Sequence, residues 1–199
     1  MMFTPHVSLI GAHVRLEPLS LAHAEGLLPH ALEPEIWLYI PYGNINTLEK
    51  LQNMISGLLR KQETGSDLCY TVFHQASNQP IGMTRYISVD RSNYGVEIGG
   101  TWYGKDYRRS AVNTEAKYLL LRHAFEVFAC QRVQIQSDVR NERSQRAIER
   151  LGAVREGIMR KNKRMPDGHQ RNSIMYSIID NEWPAIKAKL EGWLQKSQL

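Results

Sequence analysis

Three strand-length apolar runs follow one another between Leu68 and Tyr103 with only turn-forming residues between them. Leu68–His74, Ile81–Val89 and Tyr94–Tyr103 are separated by Asn78-Gln79-Pro80 and by Asp90 to Asn93. Both separators are turn chemistry, so the three runs read as an antiparallel meander. Ahead of them the period changes. Leu51, Met54, Ile55, Leu58 and Leu59 recur at helical spacing, behind Asn46 and Glu49, which read as a capping box.

The same alternation of periods runs through the rest of the chain. Val7 to Leu19 reads as a strand, and Ser20 caps a helix to about Leu28, where Pro29 ends or bends it. A loop with Trp37, Tyr39, Pro41 and Tyr42 follows. Downstream, Ala116, Leu119, Leu120, His123, Ala124 and Val127 form one stripe of a helix expected from Thr114 to Ala129. A strand from Arg132 to Asp138 leads into a helix from Glu142 to Leu151, closed by Gly152. Val154–Asn162 and Gln170–Ile179 read as a hairpin around Pro166-Asp167-Gly168, and a last amphipathic helix starts near Glu182. This order predicts an α+β fold, a mixed and mostly antiparallel sheet with helices on both faces. No repeat or linker divides residues 1–199, which read as one domain.

Composition narrows the function classes. No apolar run approaches the roughly 18 residues of a membrane span, and the start lacks a basic leader followed by an apolar stretch. Cys69 and Cys130 stand far apart without metal-ligand spacing. They read as reduced thiols of a cytoplasmic protein, with no metal site expected. A net charge of +5 suits an anionic ligand. Nucleic acid would need a basic stripe interleaved with exposed aromatics, and here the positive charges scatter among Asp and Glu.

Two strand-to-helix junctions carry the candidate chemistry. In the first, Trp102 to Lys117, Lys105, Arg108 and Arg109 precede a helix start, where free amides and the dipole favour an anion. Ser110 and Ala111 are small enough for a phosphate to approach. The same residues also fit a solvated basic loop with Asn113 as N-cap, and Glu115 in the first turn would repel a phosphate that it faced. In the second, Asp138 to Ala153, Asn141 sits at the helix start and Ser144 shares a side with Ala147, Ile148 and Leu151. Asn141 also fits a plain N-cap, and Ser144 a satisfied buried hydroxyl.

Both junctions resemble motifs of the GNAT superfamily of acyl-CoA N-acyltransferases. Arg108-Arg109-Ser110-Ala111-Val112-Asn113 is similar to the pyrophosphate-binding Arg/Gln-x-x-Gly-x-Gly/Ala motif, with Ala111 and Asn113 at the two small positions. Asn141-x-x-Ser144-x-x-Ala147-Ile148-x-x-Leu151-Gly152-Ala153 resembles the second motif, with Ile148 where many members carry a Tyr general acid. Asn113 to Lys117, Leu119 to Phe125 and Asn181 to Pro184 bring the likeness nearest to the ribosomal-protein N-terminal acetyltransferase branch.

The resemblance implies acetyl-CoA as cosubstrate and a primary amine as acceptor, a protein N-terminus or a small molecule. The alternative is a non-catalytic acyl-CoA-binding protein of the same fold. Related enzymes are often homodimers. Glu97 is the candidate base; regular pleating puts it on one face with Gly99 and Thr101, opposite Val96, Ile98, Gly100 and Trp102. A surface glutamate on a half-exposed sheet is the competing reading. Backbone amides of Thr101, Trp102 and Tyr103 are expected along the pantetheine arm, Asn141 at its amides and Ser144 at the departing sulfur. Arg146 and Arg150 stand near the phosphates or in solvent. The Trp37–Tyr42 loop and Lys161, Lys163, Arg164 and Arg171 are candidate walls of the acceptor cleft, and core packing for Trp37 and a solvated edge for the lysines are the competing readings.

Overall fold

The structure, a computed structural model, describes residues 7–196. The chain runs β1 (Leu9–Ile10), β2 (Val14–Pro18), α1 (Ala24–Ala31), α2 (Leu48–Glu63), β3 (Leu68–His74), β4 (Gln79–Asp90), β5 (Gly95–Tyr103), α3 (Ala111–Arg122), β6 (Arg132–Asp138), α4 (Glu142–Leu151), β7 (Val154–Arg164), β8 (Gln170–Ile179) and α5 (Trp183–Lys196). The strands form one eight-stranded sheet in the order β1-β2-β3-β4-β5-β6-β8-β7. The meander β3-β4-β5 pairs antiparallel. The pair β5–β6 is parallel. A parallel neighbour needs a crossover connection, and α3 supplies it. The α+β expectation holds.

Each face of the sheet has its own core. Val14, Leu16, Tyr70, Tyr86, Val96 and Ile98 pack with Ala116, Leu119 and Leu120 of α3, Ile148 and Leu151 of α4, and Trp183, Ile186 and Leu190 of α5. On the other face Cys69, Met83 and Trp102 pack with Leu27 of α1 and with Leu51, Met54, Ile55 and Leu58 of α2. Tyr70, Tyr86 and Tyr176 are fully buried, and burying a large side chain stabilises the fold by roughly 1.5–3 kcal/mol. Both cysteines are free and buried. Burial pushes the Cys69 thiol up to about 11 and the Cys130 thiol to about 12. They are inert packing groups.

Several boundaries differ from the expectation. The first strand is two short strands joined by a turn. Ser20 caps a single 3-10 turn, Leu21–His23, and α1 continues past Pro29 to Ala31. The N-cap of α2 is Thr47, whose hydroxyl accepts from Lys50 N at 3.2 Å, while Asn46 accepts from the Lys50 side chain. Helix α3 begins three residues before Thr114, capped by Ser110 instead of Asn113. It gives way to a π turn, His123–Val127. That wider turn rotates the stripe, which is why Val127 is exposed while Ala124 is buried. Strand β7 runs to Arg164, two residues beyond Asn162.

Candidate active site

Strands β5 and β6 pair only where Gly95, Val96 and Glu97 face Arg132, Val133 and Gln134. Beyond that point β5 continues to Tyr103 and β6 to Asp138, and the two diverge. A cleft of about 670 Å³ opens between them, lined by Gly99 to Tyr103 on one side and Ile135 to Asp138 on the other. At its mouth both strands pass into helices, so two helix N-termini face one cavity. The arrangement suits an elongated anionic ligand inserted between strands, with its charged end at the helix starts.

The first junction is long and pinned by distant residues. Arg108 donates to Glu33 Oε2 at 2.6 Å and to the Tyr103 carbonyl at 3.1 Å, so part of its charge is spent holding the loop. Arg109 is exposed, lines the cleft and holds φ +60. Ser110 also lines the cleft and its hydroxyl accepts from Val112 N. Val112 itself is buried in the core, and Ala111 and Val112 lie outside the cleft lining. Ala111 is the first helical residue and Asn113 the third. Neither has a positive φ, so the departures from glycine carry no left-handed strain. Glu115 does not face the cleft. Its carboxylate accepts from Ala12 N, His13 N and Val14 N at 2.8, 2.6 and 2.7 Å and ties the β1–β2 turn to α3.

The second junction is short. Asn141 Oδ1 accepts from Ser144 N at 3.0 Å, and Gly152 closes α4 at φ +108. Asn141, Ser144, Ala147 and Ile148 line the cleft, together with Arg143 and Arg150. Arg150 donates to Thr114 Oγ1 at 2.7 Å, which links α4 to α3. Arg146 lies on the outer face, paired with Glu142 at 3.1 Å.

This construction agrees with the sequence comparisons. Residues 13–154 match the family described as "Acetyltransferase (GNAT) domain". The chain belongs to the GNAT acetyltransferase family. A Bacillus subtilis protein described as a "putative ribosomal N-acetyltransferase", YdaF, is 32% identical over 106 residues, which are 53% of this chain and 57% of that protein. A structure described as a "putative acetyltransferase" from T. thermophilus superposes with TM-score 0.89 at 42% identity, covering 98% of this chain and 100% of that one. A GCN5-related N-acetyltransferase from Brucella melitensis gives TM-score 0.89 at 27% identity, over 96% and 86% of the two chains.

The remaining wall of this GNAT cleft departs from regular pleating. The β4–β5 register shifts between Met83–Trp102 and Arg85–Gly99, and Gly100 takes φ +59. This bulge flips the alternation, so the expected common face of Glu97 and Thr101 does not exist. Thr101 turns toward α3, where Lys117 Nζ donates to its hydroxyl at 2.7 Å. Lys117 is buried, and burial pushes its ammonium down to about 7. Trp102 packs against Trp37 with ring centroids 5.6 Å apart, and among the described residues the buried Tyr103 hydroxyl has no hydrogen-bond partner.

Glu97 is 5% exposed, so the surface-glutamate reading does not apply. Gln136 Nε2 donates to Glu97 Oε2 at 2.7 Å. Burial raises the carboxyl above its ordinary value, against the opposing pull of Lys163, the Gln136 bond, Arg85 and Arg171. Lys163, Arg171, Tyr39, Ile40 and Pro41 line the same end of the cleft. Lys161 and Arg164 do not, and Trp37 is a core residue whose indole donates to the Ala31 carbonyl at 2.8 Å.

Among the lining residues that the sequence did not single out are Lys117, Arg85, Gln136 and Arg143. Lys117 was within reach, because it sits four residues after Asn113 on one helical face. Arg85 depends on the bulged register and Gln136 on the splay of β6, neither of which has a local signal. Among the described residues no cluster of three or more His, Cys, Asp or Glu is placed to hold a metal. No described helix is long and apolar enough to cross a membrane.

Proposed function

We propose that the chain transfers the acetyl group of acetyl-CoA to a primary amine, a protein N-terminus or a small-molecule amine, with Glu97 as the base. The observation that carries this reading is the place of Glu97: a buried carboxylate at the last residue of β5 that pairs with β6, where the cleft begins. An acyl-CoA whose pyrophosphate lies at the start of α3, among Arg109, Ser110 and Asn113, would extend its pantetheine arm along Thr101 to Tyr103. Asn141 stands beside that arm. The thioester then arrives near Glu97.

Three requirements of the reaction have candidates. Glu97, directly or through water, takes the proton that the amine nitrogen loses as it adds to the thioester carbonyl. Backbone N–H groups of the β5 bulge stabilise the oxyanion. Ser144 donates to the sulfur as the carbon–sulfur bond breaks. Ile148 is buried where many relatives carry the acid, and a thiol with pKa near 8.5 needs little help to leave.

Thiol release with a panel of amines tests this reading. Glu97→Gln should lower kcat/KM about 10²- to 10⁴-fold while acetyl-CoA affinity is retained. In the wild type the acid limb of the kcat/KM profile should lie above the ordinary carboxylate range, because burial raises the Glu97 carboxyl. Activity is then lost as pH falls through that raised value. An unaltered rate in Glu97→Gln would remove the base assignment.

A further inference from the structure

From the charges around Glu97 we infer that the acceptor amine carries a carboxylate or comparable anionic group, received by Lys163 and Arg171 while the amine meets Glu97. This deepens the acetyl-transfer reading above and rests on it.

The acceptor end of the cleft holds more positive charge than its own acids compensate. Arg85, Lys163 and Arg171 all line it. Arg85 is spent in part, paired with Asp67 at 2.6 Å, but among the described residues its buried Nε has no hydrogen-bond partner. Arg171 is 6% exposed and bound to neutral acceptors, the Ser173 hydroxyl at 2.8 Å and the Tyr39 carbonyl at 2.9 Å. Among the described residues neither Arg171 nor Lys163 has a carboxylate within ion-pair distance. Asp138, the other acid at this end, is held by Arg140 at 2.8 Å. Glu97 is left to balance both Lys163 and Arg171, with Asp138 already shared with Arg140, and a ligand carboxylate is the group that completes the balance.

The bulge brings the two charge types within reach of one molecule. A Cβ on Gly99 would lie 3.1 Å from Glu97 Oε1, and one on Gly100 would lie 2.8 Å from Arg85 Nε. The carboxylate and the guanidinium therefore rest on adjacent glycines, whose Cα atoms are about 3.8 Å apart. A dicationic polyamine would bring its second ammonium against Lys163 and Arg171. An amine with an anionic group a few bonds away matches both ends.

The test is thiol release with acetyl-CoA over two matched acceptor sets. One set is 4-aminobutyrate, butylamine and 1,4-diaminobutane. The other is tetrapeptides with a free N-terminal alanine followed by Glu, Gln or Lys at the second and third positions. The expected result is kcat/KM at least about tenfold higher for the anionic member of one set, and the responding set tells a free amine from a peptide. Lys163→Met should raise KM for that acceptor about tenfold, with kcat little altered when read at a pH well above the acid limb, where the lost pull of Lys163 on Glu97 does not enter, and Lys163→Arg should restore KM. Equal or faster turnover of the neutral or cationic members would overturn the inference and leave acetyl transfer standing. Silence of both sets, with acetyl-CoA still binding, would overturn both.

Discussion

The two strand-to-helix junctions of the cleft solve one problem in different ways. Between β6 and α4 the chain needs three residues, and the helix is capped by its own Asn141 and closed by Gly152. Between β5 and α3 it takes seven, includes a 3-10 turn at Lys105–Tyr107 and puts Arg109 at positive φ. That longer path is held from outside by Glu33, on the Lys105 amide and on Arg108, and the helix it enters is tied by Glu115 to the β1–β2 turn. A locally encoded junction is rigid by sequence. One encoded by tertiary contacts can present several groups to a ligand, but it fails when a distant partner is lost.

The comparison can be broken most easily at Glu115. Glu115→Ala removes three charge-assisted bonds and leaves the buried Val14 amide without its acceptor. Urea unfolding should show a loss of about 3 kcal/mol or more. A loss under about 1 kcal/mol would mean the clamp is incidental.

Arg108 and Arg109 should then separate. Arg108→Ala should cost about 1–2 kcal/mol, because its partner Glu33 is only partly exposed. Arg109→Gly should stabilise the fold by about 1 kcal/mol, since glycine accepts the left-handed backbone freely. Equal effects on thermal unfolding would erase the distinction between a holding residue and a presenting one.

The smallest effect belongs to the short junction. Asn141→Ala should cost about 1 kcal/mol, the ordinary worth of a cap. It should not propagate to α3, so hydrogen exchange in residues 111–122 should stay as in the wild type.

Legibility in the sequence follows the same division. Strand β6 and helix α4 have the boundaries their periodicity and caps predict, because every determinant lies within a few residues. Helix α3 starts earlier than Asn113-Thr114-Glu115 suggests. Those residues look like a cap and an acidic first turn, but Glu115 serves a turn 103 residues away. Glu97 was identifiable as a candidate from its small neighbours. Its separation from Thr101 was not, since the bulge shows only in the folded backbone, in the β4–β5 register and the φ of Gly100. The cations around Glu97 come from β4, β7 and β8, and only the folded sheet brings them to one end of the cleft.

The most direct test of the account is a calorimetric titration of acetyl-CoA into the wild type, Arg109→Ala and Glu97→Gln. A coenzyme held across both junctions predicts saturable binding, weakened about tenfold or more in Arg109→Ala and nearly unchanged in Glu97→Gln. Absence of binding in the wild type, or full affinity in Arg109→Ala, would contradict the placement of the pyrophosphate at the start of α3.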